Sequence, residues 1–199
     1  MRVTVSDEQI RGAFEGVKGD ATFEESRALV GAGGRPAEMI QAMCLRPEIL
    51  RAFGQFGACV YPGGLLERSI KEYVIIEASR RNACQFCRDS HVAVARMLGL
   101  SEQPLEMMQT PERLTERECL AIEYTGATME DSNRVPDELF ARLRSHFSEP
   151  EIVELTFLIG FINMLNLFNN CLRVTYHGEY AAIPKKERGP MLTGRGISG

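Results

Sequence analysis

Nowhere in its 199 residues does the sequence sustain the two-residue alternation of apolar and polar side chains that a half-buried sheet requires. Apolar residues instead recur at three- and four-residue steps between recognisable caps, so the chain is expected to be all-α. A first helix is expected from Ser6 or Asp7 to Val17, with Ile10, Phe14 and Val17 on one face and Gly19 beyond it. Residues 31–36, "GAGGRP", read as a loop before a helix at Ala37 to Met43. Pro47 suits the first turn of the next helix, where its missing N–H has no partner to lose, and "YPGG" (61–64) closes it.

A long helix from Leu65 or Leu66 to Arg81 carries Ile70, Tyr73, Val74, Ile76 and Glu77. The next is expected from Cys84 to Leu98, with Gly99 as its stop. Thr115 with Glu118, and Ser148 with Glu151, have the spacing of capping boxes, and Pro136 starts a helix between them. From Ile183 onward the sequence is polar, glycine-rich and without period, which reads as a tail ordered against a partner subunit. The expected organisation is an N-terminal helix and loop (1–35), a helical domain (36–182) and a polar tail (183–199).

The 44% apolar content suits a globular domain, and a net charge of −4 with both signs interspersed offers no basic stripe for a phosphate backbone. No nucleic-acid partner is expected. The N-terminus "MRVTVSDEQIRGAF" has charges where an export signal needs an apolar core. The longest apolar stretch, "FLIGFINMLNLF" (157–168), is interrupted by asparagines and reads as too short to span a bilayer. A cytoplasmic chain with no membrane partner is the expectation, and its six cysteines should be mostly reduced thiols. Cys44, Cys59, Cys119 and Cys171 stand singly and read as small buried hydrophobes. Met97, Met107, Met108, Met129 and Met164 read as core filler.

Only "ACQFCRDSH" (83–91) gives cysteines a pattern. On a helix, Cys84 neighbours Cys87, and Cys87 neighbours His91, so three reactive groups share one stripe. A dithiol at this spacing can close to a disulfide. The helix dipole favours a thiolate at Cys84, whereas a base one turn away favours Cys87. Thioredoxin-like sites follow the first logic but sit after a strand, which is missing here. Weighting the base makes Cys87 the attacking sulfur and Cys84 the resolving one, with Arg80, Arg81 and Arg88 as available cations. The same three residues form a possible zinc set, although no second Cys or His pair completes it and His146 and His177 stand alone. Inert packing of both thiols is the remaining reading. Glu72, taken alone, reads as a solvated helix carboxylate.

Two segments, "ERSIKEYVIIEASRRNACQFCRDSH" and "EPEIVELTFLIGFINMLNLFNNCLR", overlay without gaps. Glu72 falls on Glu154, Cys84 on Asn166, Phe86 on Phe168, Cys87 on Asn169 and His91 on Arg173. They are either two degenerate helical repeats in one domain or a chance likeness of amphipathic helices.

The motif, with the preceding "KEYVII" and the later "ELTFLIGFINMLNLFN", resembles the carboxymuconolactone decarboxylase / alkylhydroperoxidase AhpD-like superfamily, in its peroxidase-related branch with a C-x-x-C-x3-H motif. The resemblance begins at "RPEIL" (46–50) and runs through "LTERECLAIEYTGATM" and "DELFARLRSHFSEPEIVELTFLIGFINMLNLFN". It implies an AhpD-like helical bundle and a homo-oligomer: dimers, trimers or hexamers. It further implies Cys87 as peroxidatic, Cys84 as resolving, His91 as base, and Glu72, twelve residues before the first cysteine, as the group that orients and charges the histidine.

The implied activity is antioxidant reduction of a hydroperoxide by a thiol peroxidase or disulfide oxidoreductase. No metal or organic cofactor is expected, and an external thiol or disulfide-reductase donor supplies the electrons. Better-known members carry a second histidine just before the second cysteine, where this chain has Phe86. The alternatives are a muconolactone-type decarboxylase, whose branch generally lacks the cysteine pair, and a non-enzymatic helical oligomer with a vestigial dithiol.

Overall fold

The computed structural model describes residues 1–194 of the chain, and among them there is no strand. The α-helices are, in chain order, α1 (Asp7–Glu15), α2 (Glu24–Gly31), α3 (Glu38–Cys44), α4 (Pro47–Cys59), α5 (Arg68–Arg81), α6 (Gln85–Met97), α7 (Pro104–Met107), α8 (Glu116–Asp131), α9 (Asp137–His146), α10 (Glu149–Leu172) and α11 (Pro190–Thr193). Short 3₁₀ turns fall between several of them. The caps explain many of these starts. Ser6 with Gln9, and Thr115 with Glu118, exchange side-chain and backbone bonds in complete capping boxes. At Ser148 the backbone N–H and the hydroxyl both donate to the Glu151 carboxylate.

The chain divides into two compact units, residues 1–64 with 169–194 of the described chain, and residues 65–168. In the first unit Phe23 is fully buried, edge-on to Phe14 at 6.1 Å and 6.1 Å from Phe53. Gly54 and Gly57 of α4 permit this packing. A Cβ on Gly54 would lie 2.0 Å from an Asp20 carboxylate oxygen, and one on Gly57 would lie 2.5 Å from the Thr22 methyl. Thr22 donates its hydroxyl to the Gly54 carbonyl across the gap thus left open. At the end of α10, Arg2 donates from its backbone N–H to the Leu172 carbonyl and from its guanidinium to the Cys171 carbonyl.

The segment after Ile183, read as a tail ordered against a partner subunit, is docked in part within the first unit. Pro190 and Leu192 are buried, and the Leu192 N–H donates at 3.0 Å to Glu25, itself buried in the same unit. Two apolar anchors in a polar stretch suffice for docking while leaving no period to read. Residues 195–199 of the expected tail lie outside the described residues. The sequence also hides α2, which lacks a side-chain cap.

In the second unit α5 is the central helix, packed on α6 and α8. Its residues 70–79 are all buried, so Lys71, Glu72 and Glu77 lie in the interior, where a charge must be paired. Lys71 meets Glu154 of α10 at 2.8 Å, and Glu154 also accepts the backbone N–H groups of Leu65 and Leu66 just before α5. Arg117 of α8 joins Glu67 and Glu151 at 2.8 and 2.7 Å, and Tyr124 meets Thr156 at 2.8 Å.

At 24 residues α10 is twice the apolar stretch read from the sequence, and by length and composition it is long and apolar enough to cross a membrane. Half of its most apolar window is buried within the molecule, and its buried positions include Glu154 and Asn166, both hydrogen-bonded to protein partners. Met164 on α10 is exposed, contrary to its reading as core filler, and Met97, Met107, Met108 and Met129 are half-buried.

The Lys71 to Glu154 pair gives a stability prediction. Burial lowers the Lys71 pKa and Glu154 opposes the shift, so Glu154→Leu removes the carboxylate that pairs with a buried ammonium and accepts two amides. Urea unfolding of that variant should show a loss of about 3–5 kcal/mol, much of it restored by the double change Lys71→Met/Glu154→Leu. An unchanged midpoint in the single variant contradicts the assignment.

Candidate redox site

The site is built at the junction of α5 and α6. At the end of α5 the Ala83 N–H donates to the Arg80 carbonyl and the Cys84 N–H to the Ser79 carbonyl at 2.8 Å, which is the Schellman pattern that closes a helix. The residue in the left-handed position of that motif is Ala83, at φ 51°, where glycine is usual. A non-glycine residue held there stores backbone strain of the kind found at functional sites. The turn sets Cys84 as the N-cap of α6, rather than inside the helix, with Cys87 in the first turn and His91 one turn later.

Cys84 and Cys87 are 1% and 2% exposed. Glu72, reaching across from α5, is 0% exposed, which overturns its reading as a solvated carboxylate. One of its oxygens lies 2.8 Å from Nδ1 of His91, and the other accepts from Nε of Arg68 at 2.7 Å. Burial would raise the Glu72 pKa, but the facing imidazole and then the guanidinium outweigh it, and the carboxyl is held below its ordinary value. The structure thus brings together Cys84, Cys87, His91 and Glu72 in one unit, with His91 14% exposed.

Cys84 titrates far below a buried thiol. A hydrogen bond from the Cys87 side chain lowers its pKa, burial opposes, and the Cys87 backbone N–H and the Asn166 side chain lower it further, to about 7. Cys44 shows the contrast, since burial alone pushes that thiol up to about 11. The lowered value agrees in direction with the helix-start argument for a thiolate at Cys84, the N-cap residue of α6.

Other expectations change. Arg80 and Arg81 are both engaged by Glu77, and Arg88 by Asp89, so these candidate cations are committed elsewhere. The cation at the site is Arg68, whose i,i+4 spacing to Glu72 is the signal that would have found it. Cys59 and Cys171 are exposed and Cys119 partly so; only Cys44 of the four single cysteines is buried. Phe86 is buried. Among the described residues no group of three or more His, Cys, Asp or Glu side chains is placed to hold a metal ion.

The model of the carboxymuconolactone decarboxylase family matches residues 47–112, which include the whole motif and Glu72. The uncharacterized protein YdfG of Bacillus subtilis (strain 168) is 34% identical over 105 residues, 51% of this chain and 71% of that protein. The chain belongs to the carboxymuconolactone decarboxylase family, in the AhpD superfamily.

Among solved structures, the alkylhydroperoxidase AhpD core of a peroxidase-related protein from Ralstonia eutropha JMP134 shares the fold, with a TM-score of 0.70 at 18% identity, over 90% of this chain and 93% of that one. The apo debrominase Bmp8 has a TM-score of 0.69 at 18% identity, covering 94% of this chain and 98% of that one. The family fold supports peroxidase-related or decarboxylase-type activity.

The site predicts its own titration. Because the Cys84 pKa is lowered, its thiolate is present above about pH 7 and lost below it. The pH dependence of alkylation at Cys84, followed by mass mapping, should have its midpoint near 7. A midpoint at the ordinary thiol value of about 8.5 or higher contradicts that lowering.

Proposed function

We propose that the protein is a thiol-dependent peroxidase that cycles Cys84 and Cys87 between dithiol and disulfide, with Glu72 and His91 as its proton relay. Its substrates are hydrogen peroxide or organic hydroperoxides, and an external thiol or disulfide reductase is its electron donor. The observation that carries this reading is a buried dithiol, one sulfur of which titrates near neutrality, one helical turn from an imidazole anchored on a buried carboxylate.

With the proton on Nδ1 donated to Glu72, Nε2 is the basic nitrogen of His91. The Cys87 proton passes to His91 as its sulfur attacks the peroxide. The S–O bond forms, the O–O bond breaks, and the leaving alkoxide takes the proton from His91, giving an alcohol and Cys87 sulfenic acid. The Cys84 thiolate then attacks the Cys87 sulfur. The S–S bond forms as hydroxide leaves and is protonated to water. Two donor thiols restore the dithiol and depart as a disulfide. The burial of both cysteines favours small peroxides. The reading places the chain in a reducing compartment as a homo-oligomer.

Under steady-state peroxide turnover, Cys87→Ser should be inactive, whereas Cys84→Ser should consume one equivalent of peroxide and stop. His91→Ala and Glu72→Gln should each lower kcat/KM by about 10²-fold or more. If both cysteine variants turn over like the parent, the reading is wrong. Activity on a muconolactone-type substrate that survives loss of both cysteines would point to decarboxylation instead.

A further inference from the structure

Glu72 has no exposure to water, and its two oxygens meet different partners. Nε of Arg68, one turn earlier on α5, donates to Oε1 at 2.7 Å, while Oε2 lies 2.8 Å from Nδ1 of His91 on α6. Arg68 is 13% exposed and His91 14%, so the three groups act on one another with little solvent between them. The carboxylate stands between a permanent cation and a ring that is charged only when protonated. With the imidazole neutral, Arg68 and Glu72 cancel. Protonating the ring adds a net positive charge to a buried cluster, and the guanidinium opposes that step.

The neighbouring charges are engaged by other partners. On α5, Lys71, whose charge also reaches Glu72, is bonded to Glu154 of α10, and Glu77 holds Arg80 and Arg81. On α6, beyond the two cysteines, Arg88 pairs with Asp89 and Arg96 donates to the Glu102 carbonyl. On α8, which packs on α5, Arg117 joins Glu67 and Glu151, Glu118 caps Thr115, Glu116 meets His146 and Glu123 meets Arg142. The one charged residue of α7, which packs on α6, is Glu106, and it is exposed.

We infer that Arg68 is a positioning residue of the proton relay: it occupies one oxygen of Glu72, leaves the other to orient His91, and by balancing the buried charge opposes the imidazolium form, which cannot take the Cys87 proton. The inference rests on the peroxidase reading above. Without the guanidinium the buried carboxylate loses its permanent counter-charge, and Glu72 with His91, titrating as a pair, binds a proton more tightly. Both halves of the relay depend on this balance. The Cys87 proton moves to His91 as the S–O bond forms and the O–O bond breaks. The repulsion from Arg68 then favours handing that proton to the leaving alkoxide, which departs as the alcohol.

The test is the titration of His91 followed by NMR in histidine-labelled protein. The chain has three histidines, and His91→Gln identifies the signal. Arg68→Gln keeps a donor without the charge, and its His91 midpoint should lie above the parent's by about one unit or more. Arg68→Met, which removes both, should shift it at least as far, and Arg68→Lys should leave it close to the parent's. The acidic limb of kcat/KM for hydrogen peroxide should move with the His91 midpoint, so that well below both midpoints Arg68→Gln is slower by about tenfold at a given pH. A merely displaced helix would move neither the midpoint nor the limb in this charge-dependent order.

Should Arg68→Met fail to fold, Arg68→Gln decides. An unmoved or lowered His91 midpoint in Arg68→Gln overturns the inference, as does a midpoint in Arg68→Lys raised as far as in Arg68→Gln. If the parent reduces peroxide but the midpoint is unmoved, this inference alone fails. If the midpoint rises but the parent reduces no peroxide, the peroxidase reading fails and the charge balance stands.

Discussion

A carboxylate with no exposure to water, Glu72, is the constraint on which the second unit is organised. Burying an ionised carboxylate is costly unless both oxygens find donors. Here one oxygen takes Arg68 from its own helix and the other takes His91 from α6. The first contact is local and would form in any helix with that spacing. The second spans the α5–α6 turn, and it holds for one setting of α6 against α5. Once His91 is held, Cys87 follows one turn earlier and Cys84 at the cap, because they share the helix.

The turn between those helices is as constrained as the pair. Ala83 adopts a left-handed backbone at a position glycine usually fills, and the Cys84 N–H is spent on the Ser79 carbonyl. Cys84 is almost wholly buried, yet its pKa is lowered where burial raises that of Cys44.

Much of this could be read from residues alone. Helical spacing, the Thr115 to Glu118 capping box and Pro47 marked helices that the structure contains, and the cysteine and histidine spacing located the dithiol stripe. Glu72 needed the family resemblance, since nothing in the spacing of one chain says that a helix will be buried all round. Asn166 was visible only as an overlay partner. The overlaid copies differ in structure, for α10 runs unbroken where the first copy turns at Ala83, and Glu154 serves Lys71 and two amides rather than a histidine. The exposed Cys59 and Cys171 and the docked segment around Leu192 depended on tertiary packing, which periodicity does not encode.

The central claim is that Cys84 and Cys87 are a working redox pair. Its most direct test counts free thiols before and after one equivalent of hydrogen peroxide, with mass mapping of the product. The account predicts the loss of two thiols per chain and a single Cys84 to Cys87 disulfide. An unchanged thiol count, or a disulfide formed from the exposed Cys59 or Cys171 with Cys84 and Cys87 still reduced, would contradict it.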